Sequence, residues 1–135
     1  MTTITIMDTA NVTMWYYPEK KILHHQYHKF MAGEPFRNFL LKGTETLQKY
    51  QATKWLSDDR NNPVLSPGDL EWGQKFWFPA TLKAGWKYWA IVMPKHALAQ
   101  MTMKELVDDY RKAGVSANFF SDPDEAMKWL ESQPG

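Results

Sequence analysis

The chain has 135 residues, with 16 Lys plus Arg against 15 Asp plus Glu and no cysteine. This length suffices for one domain with a single buried core. The balanced charge argues against nucleic-acid binding, which relies on a basic surface. The lack of cysteine excludes disulfides, thiol nucleophiles and cysteine-bound metals.

Other broad classes are excluded by simple patterns. No run of about 18 apolar residues occurs, so we predict no membrane span. The first residues show no basic segment followed by an apolar one, so we expect a cytoplasmic protein without a secretion signal. No glycine-rich phosphate loop or dinucleotide fingerprint is found, so we predict no cofactor.

The N-terminal part of the chain predicts strands. Residues 1–11 alternate Thr with Ile and predict either an edge strand or a frayed terminus. Residues 12–17 and 22–30 are rich in β-branched, aromatic and His residues and flank a turn at Pro18, which predicts an antiparallel hairpin. Within it, Trp15, Tyr16 and Tyr17 must place rings on both faces of one strand. An exposed ring there favours a homodimer or another protein partner.

Helical patterns follow the hairpin. Apolar residues recur at three- and four-residue spacing over residues 36–50 and predict an amphipathic helix. Gly43 lies on its apolar stripe, which indicates a close approach to the sheet. Ser66 before Pro67 is typical of a helix start, and Pro79 is expected to break or restart that helix.

Two further helices are predicted in the C-terminal part. Thr102 and Glu105 have capping-box spacing and predict a helix that starts there and ends at Gly114. Pro123 within an acidic first turn predicts the last helix.

Apolar stretches between these helices predict buried strands at Trp55, over residues 88–93 and over residues 115–120. The order is then ββαβαβαβα. A hairpin followed by right-handed β-α crossovers predicts an α/β fold with a mixed, mostly parallel sheet, in a single domain of residues 1–135. The strands near Trp55 and Ile91 are expected to be parallel neighbours.

This order, together with four sequence segments, resembles the bacterial STAS-like (SpoIIAA-like) proteins, which are related in shape to lipid-binding SEC14 domains. The segments are Lys54-Trp55-Leu56-Ser57-Asp58, Phe76-Trp77-Phe78-Pro79, residues 84–90 and residues 120–126. The resemblance covers the chain from Val12 onward. It implies a SpoIIAA-like fold and a non-catalytic regulatory or protein-interaction function in bacterial signalling.

Family antagonists carry a phosphorylated serine at the start of the helix after the third strand. Ser66 lies close to that place, but its surroundings, Leu65-Ser66-Pro67-Gly68, do not match the family's Asp-Ser-Ser/Thr-Gly motif. A phosphate would be compatible with a helix N-terminus. Ser66 is therefore a candidate phosphorylation site, and an ordinary N-cap is the favoured interpretation.

Polar residues follow each predicted parallel strand, and the carboxyl ends of such strands form the edge where open α/β sheets bind ligands. We predict a ligand site there, with ordinary loop and capping residues as the alternative. Its candidate residues are Asp58, Asp59, Arg60, Asn61 and Asn62, then Lys95 and His96, then Ser121 and Asp122.

The aromatic content of 15%, including seven Trp, is high enough to predict a ligand cavity or a partner surface besides the core. Trp72 and Trp77, with Phe76, Trp86 and Trp89, are candidates for lining an apolar pocket, with core filling as the alternative. The alternative function is therefore a small-molecule or lipid-binding domain with an aromatic-lined pocket at the carboxyl end of the sheet.

Catalysis and metal binding have weaker support. On a strand, His24 and His28 would lie about 13 Å apart, too far to share one metal ion, so we predict no metal site. Asp58 and Asp59 are adjacent and point in different directions. A hydrolase or lyase that uses Asp58, Asp59 or His96 is the third hypothesis.

Overall fold

The computed structural model describes residues 2–61 and 65–135. Within this part of the chain, six strands form one sheet in the order β1-β2-β3-β4-β5-β6. β1–β3 pair antiparallel and β3–β6 pair parallel, which confirms the α/β class and the mixed sheet. The strands are β1 (Ile4–Asp8), β2 (Val12–Tyr17), β3 (Ile22–Tyr27), β4 (Lys54–Asp58), β5 (Tyr88–Val92) and β6 (Ser116–Phe120).

The helices lie on both faces of this sheet. They are α1 (Gly33–Tyr50), α2 (Pro67–Trp72), a π-helix (Gly73–Trp77), α3 (Phe78–Lys83), α4 (Ala97–Lys112) and α5 (Pro123–Glu131). Strands β3–β6 follow one another in chain order, so right-handed connections place the intervening helices on one face. The larger apolar cluster lies under α1, the π-helix, α3 and α4, whereas α5 covers a smaller cluster on the other face.

β4 and β5 are parallel neighbours, as predicted, with Trp55 beside Trp89 in the register. Residues of β4 alternate between the two faces. Trp55 belongs to the larger cluster and Leu56 to the smaller one. The residues that follow β4 are distributed between the faces by the same period of two.

The predicted close approach at Gly43 is confirmed. Gly43 is buried on α1, and an added Cβ would lie only 2.7 Å from Cζ2 and 3.0 Å from Cζ3 of Trp55. The absence of a side chain at Gly43 therefore lets the indole ring of β4 pack directly against the helix backbone.

The connection from Ser66 to Lys83 is a continuous helical segment. Ser66 caps it, since its Oγ accepts a hydrogen bond from Asp69 N–H (3.3 Å). Pro79 lies in the first turn of α3, so the helix restarts there as predicted, and the turn before it widens into a π-helix without interrupting the helical backbone. A π-turn relaxes the hydrogen-bond pattern at the place where proline lacks an N–H and crowds the preceding turn.

Two element boundaries differ from the sequence prediction. α4 begins at Ala97, and Thr102 lies inside it with its hydroxyl bonded to Leu98 O (3.2 Å). The apolar face of α4 starts at Ala99, so packing extends the helix upstream of the capping-box pattern. β3 ends at Tyr27, because the amides of His28 and Lys29 bond to Asn11 O at 2.8 and 3.2 Å.

The three consecutive aromatics of β2 place rings on both faces, as predicted. Tyr16 is buried in the larger cluster, and Trp15 and Tyr17 lie partly buried on the opposite face. No helix among the described residues has the length and apolar character that crossing a membrane requires.

Candidate functional site

A cleft lies on the face of the sheet covered by α1–α4 and reaches the carboxyl ends of β3, β4 and β5. Its cavity volume is about 70 Å³. A single water needs roughly 10–15 Å³ on this measure, so the cleft has room for several waters or a small ligand. Its lining is mostly apolar and includes Phe36, Leu40, Leu70, Trp77, Met103, Leu106 and Tyr110.

Four indole rings line the cleft, and each ring already uses its N–H inside the protein. They therefore offer flat apolar surfaces rather than hydrogen-bond donors to a ligand. Trp55 donates to His25 Nδ1 (2.9 Å), Trp77 to Leu40 O (3.1 Å), Trp86 to Tyr88 O (3.1 Å) and Trp89 to Ser57 Oγ (2.7 Å).

Trp55, His25 and Asp59 form a buried hydrogen-bonded chain beside these rings. Because an indole N–H is only a donor, His25 Nδ1 must accept and its Nε2 must carry the proton. Nε2 lies 2.9 Å from Asp59 Oδ1 and donates to it. A second proton, on His25 Nδ1, would point at the Trp55 N–H, so that two donors would face each other. The chain therefore holds His25 in one neutral tautomer and orients the Asp59 carboxylate.

Asp59 is 7% exposed and lines the cleft. In the part of the chain that the structure describes, His25 is the side chain that bonds its carboxylate, through Oδ1. Its Oδ2 accepts no hydrogen bond from any described residue. A carboxylate oxygen within an apolar lining thus remains available to a ligand.

Asp69 is the other carboxylate of the cleft lining, and its hydrogen bonds are made within the protein. Its Oδ2 accepts from Gly33 N–H (2.9 Å) and the Ser66 hydroxyl (2.7 Å), and its Oδ1 accepts from Arg37 Nε (3.0 Å). Burial alone would raise the pKa of Asp69, but these hydrogen bonds and the Arg37 charge outweigh it and lower the pKa. Asp69 therefore ties the start of α1 to the start of α2.

The opposite face of the sheet carries a separate polar cluster. Asp58 points to that face and pairs with Arg60 through two contacts, Nε to Oδ1 at 2.9 Å and Nη2 to Oδ2 at 2.7 Å. His24 lies near them, and its Nδ1 is 2.8 Å from the Tyr17 hydroxyl. Its buried Nε2 has no hydrogen-bond partner among the described residues. Burial is the main cause that lowers the pKa of His24 to about 4.

The structure brings only part of the predicted site together. Of the candidate residues, Asp59, Trp77, Trp86 and Trp89 line the cleft, and Asp58 with Arg60 lies on the other face. The remaining candidates lie at its margin or outside it, and their ligand-binding roles stay predictions. Asn61 donates to Tyr27 O (3.3 Å), and Trp72 stacks with the Arg37 guanidinium. Four candidates are exposed, namely Lys95, His96, Ser121 and Asp122, and Asn62 lies outside the described residues.

Sequence reasoning missed the role of His25. It considered the histidines only as metal ligands, although His25 shares the parity of the buried residues Leu23 and Tyr27 on β3. That parity could have placed His25 on the covered face, opposite Ser57 of β4. The hydrogen bond to Asp59 depends on the β3–β4 register.

Metal ligands do not converge. Within residues 2–61 and 65–135, no three His, Asp or Glu side chains come together as a metal-binding group. His24 and His25 face opposite sides of β3, and His28 Nε2 lies 2.7 Å from Thr13 Oγ1.

No family model matches the chain, and neither the curated proteins nor the solved structures contain a significant match.

Proposed function

We propose that this protein binds a small apolar or aromatic molecule in the cleft. The observation that carries the proposal is the set of four indole rings around an open cavity at the carboxyl edge of the sheet. Apolar pockets with a few oriented polar groups at this place in a sheet are the usual form of a ligand site.

The polar arrangement supports the same function. Every lining indole N–H has a partner, so a ligand's apolar surface can be buried without leaving those donors unpaired. Burying a group of the size of a phenylalanine side chain contributes about 1.5–3 kcal/mol. A single aromatic fragment should therefore bind weakly, with a dissociation constant on the order of 10–100 mM, since 1 mM would need about 4 kcal/mol.

Gly73 offers a direct way to fill the cleft. It is buried, lines the cleft and has a right-handed helical backbone, yet an added Cβ would meet no atom within 4 Å. A larger side chain at Gly73 would therefore project into the cavity. Gly73→Leu should block the cleft. Gln74→Leu, at the exposed neighbouring position of the same π-helix, is the matched control.

The test is an NMR titration of the protein with benzyl alcohol, monitored through the indole N–H signals. We expect saturable shifts for the indoles of the cleft in the wild type and in Gln74→Leu, and their loss in Gly73→Leu. Trp129 lies on the other face of the sheet and should not shift. Absence of saturable shifts in the wild type, or unchanged binding in Gly73→Leu, would contradict the proposal. Native mass spectrometry of the freshly purified protein would reveal a retained ligand.

The second candidate is a regulatory protein-interaction domain of the STAS-like type. Supporting it, the parallel strands follow in chain order, and α4 exposes two large apolar side chains one turn apart. Leu98 is 62% exposed and Met101 is 61% exposed. This candidate includes SpoIIAA-like kinship, a homodimer or protein partner, a signalling function and phosphorylation at Ser66.

Sedimentation velocity tests the homodimer part of this candidate. If two copies meet through Leu98 and Met101, the wild type should sediment as a dimer, and Leu98→Glu should shift it to a monomer. Lys104→Glu, at another exposed position of α4, is the control for added negative charge. A monomeric wild type at all accessible concentrations would refute the self-association.

A further inference from the structure

We infer that the cleft selects ligands that carry a protonated amine next to their apolar or aromatic part. This inference rests on the proposed function, because it assigns the chemical class of the ligand to the same cleft. The deciding feature is the Asp59 carboxylate, which is oriented by His25 and keeps Oδ2 without a hydrogen bond from the described residues.

The charge of the cleft favours a cation. Asp59 and Asp69 are its two described carboxylates, and Asp69 is paired with Arg37. No Lys or Arg occurs among the described lining residues, and the tautomer imposed by Trp55 keeps His25 neutral. The lining thus carries one carboxylate without a cationic partner. An anionic ligand such as a fatty acid would meet like charge in an apolar environment.

The hydrogen-bonding groups of the cleft lining also favour a cation. The indole N–H groups, which would be natural donors to an anionic or carbonyl group, are all donated within the protein. Of the lining hydroxyls, that of Thr102 donates to Leu98 O and can still accept, and that of Ser57 accepts from Trp89 and can still donate. Together with Tyr110, which can do either, they do not select a charge. An ammonium group supplies donors to Asp59 Oδ2, and the neighbouring indole faces attract a cation.

The test compares three probes of nearly equal shape: benzylamine, benzyl alcohol and benzoate. Each is titrated into the wild-type protein at pH 7 and followed through the cleft indole signals. We expect benzylamine to bind at least about tenfold more tightly than benzyl alcohol, as a charge-assisted hydrogen bond provides. Benzoate should bind more weakly than benzyl alcohol.

Asp59→Asn removes the charge and keeps an oxygen that can accept from His25 Nε2. It should abolish the preference for benzylamine over benzyl alcohol. Asp124→Asn is the matched control, because this exposed residue lies in the first turn of α5, on the other face of the sheet. The control should behave as the wild type. If Asp59→Asn does not fold, the order of the three probes in the wild type still decides.

The outcomes separate the two proposals. If benzyl alcohol binds but benzylamine gains no advantage, or if benzoate binds best, the amine inference is overturned and the proposed function stands. If none of the probes gives saturable shifts of the cleft indoles, both are overturned. If benzylamine is preferred equally by Asp59→Asn, another group binds the cation and the assignment to Asp59 is refuted.

Discussion

Replacing Gly43 by alanine should destabilise the protein, although alanine is the better helix former. In an unconstrained helix interior the change would stabilise by about 1 kcal/mol. Here the new methyl group would overlap the Trp55 ring, with separations of 2.7 and 3.0 Å to Cζ2 and Cζ3. Overpacking of this kind costs about 1–3 kcal/mol or more.

Trp55 has little freedom to move away. It is 1% exposed, its Nε1 donates to His25 Nδ1 at 2.9 Å, and its ring lies 5.6 and 5.9 Å from those of Trp77 and Trp86. We therefore expect the upper part of the overpacking range to apply. The net loss should be about 1–2 kcal/mol in the free energy of unfolding, and Tm should fall by about 3–8 °C.

Urea denaturation followed by tryptophan fluorescence, together with thermal unfolding by circular dichroism, measures both quantities. Gly73→Ala is the matched control, because Gly73 is also helical but an added Cβ meets nothing within 4 Å. The control should be as stable as the wild type or more stable, by at most about 1 kcal/mol. If Gly43→Ala were as stable as Gly73→Ala, the close packing of Trp55 on α1 would be wrong.

Three further predictions concern polar groups. His24 has a folded-state pKa of about 4 against 6.5 in the unfolded chain, so the unfolded chain takes up a proton first as pH falls below 6.5. The free energy of unfolding should therefore drop by about 2 kcal/mol from pH 7 to pH 5. His24→Phe should remove most of this drop in urea denaturation. Arg60→Ala leaves the buried Asp58 carboxylate unpaired and should cost about 1–3 kcal/mol in the same assay. Ser66→Ala should cost about 1 kcal/mol through loss of the N-cap, and Ser66→Glu should cost more because its carboxylate would approach Asp69.

Each of these predictions has a control or a contrary outcome. An unchanged pH profile in His24→Phe would show that other groups cause the acid sensitivity. Lys75→Ala removes a pair whose side chains are 62% and 66% exposed and should change stability by less than about 0.5 kcal/mol. If Arg60→Ala were equally harmless, the Asp58 pair would not stabilise the fold. A Ser66→Glu protein more stable than Ser66→Ala would favour a phosphate at this position.

Much of the fold follows from local patterns in the sequence. The apolar runs, the helical periodicity and the N-cap at Ser66 predicted strands and helices close to those observed, and Gly43 indicated where a helix meets the sheet. The start of α4 was predicted too late. There the capping-box pattern at Thr102 was overridden by the burial of Ala99.

The candidate site was only partly predictable. The sequence placed polar residues at the carboxyl ends of the parallel strands and indicated that Asp58 and Asp59 diverge. It did not indicate that Asp59 faces the side of the sheet covered by α1–α4, or that Lys95 and Ser121 remain exposed outside the cleft lining.

The sequence by itself determined the elements, their order and the parity of side chains along each strand, because those features depend on residues close together in the chain. Only the tertiary structure decided that His25, Trp55 and Asp59 form one hydrogen-bonded chain. Their contacts depend on the parallel register of β3 and β4 and on which face the crossover helices cover. Such long-range pairing brings together groups from separate strands, and no local pattern of residues specifies it.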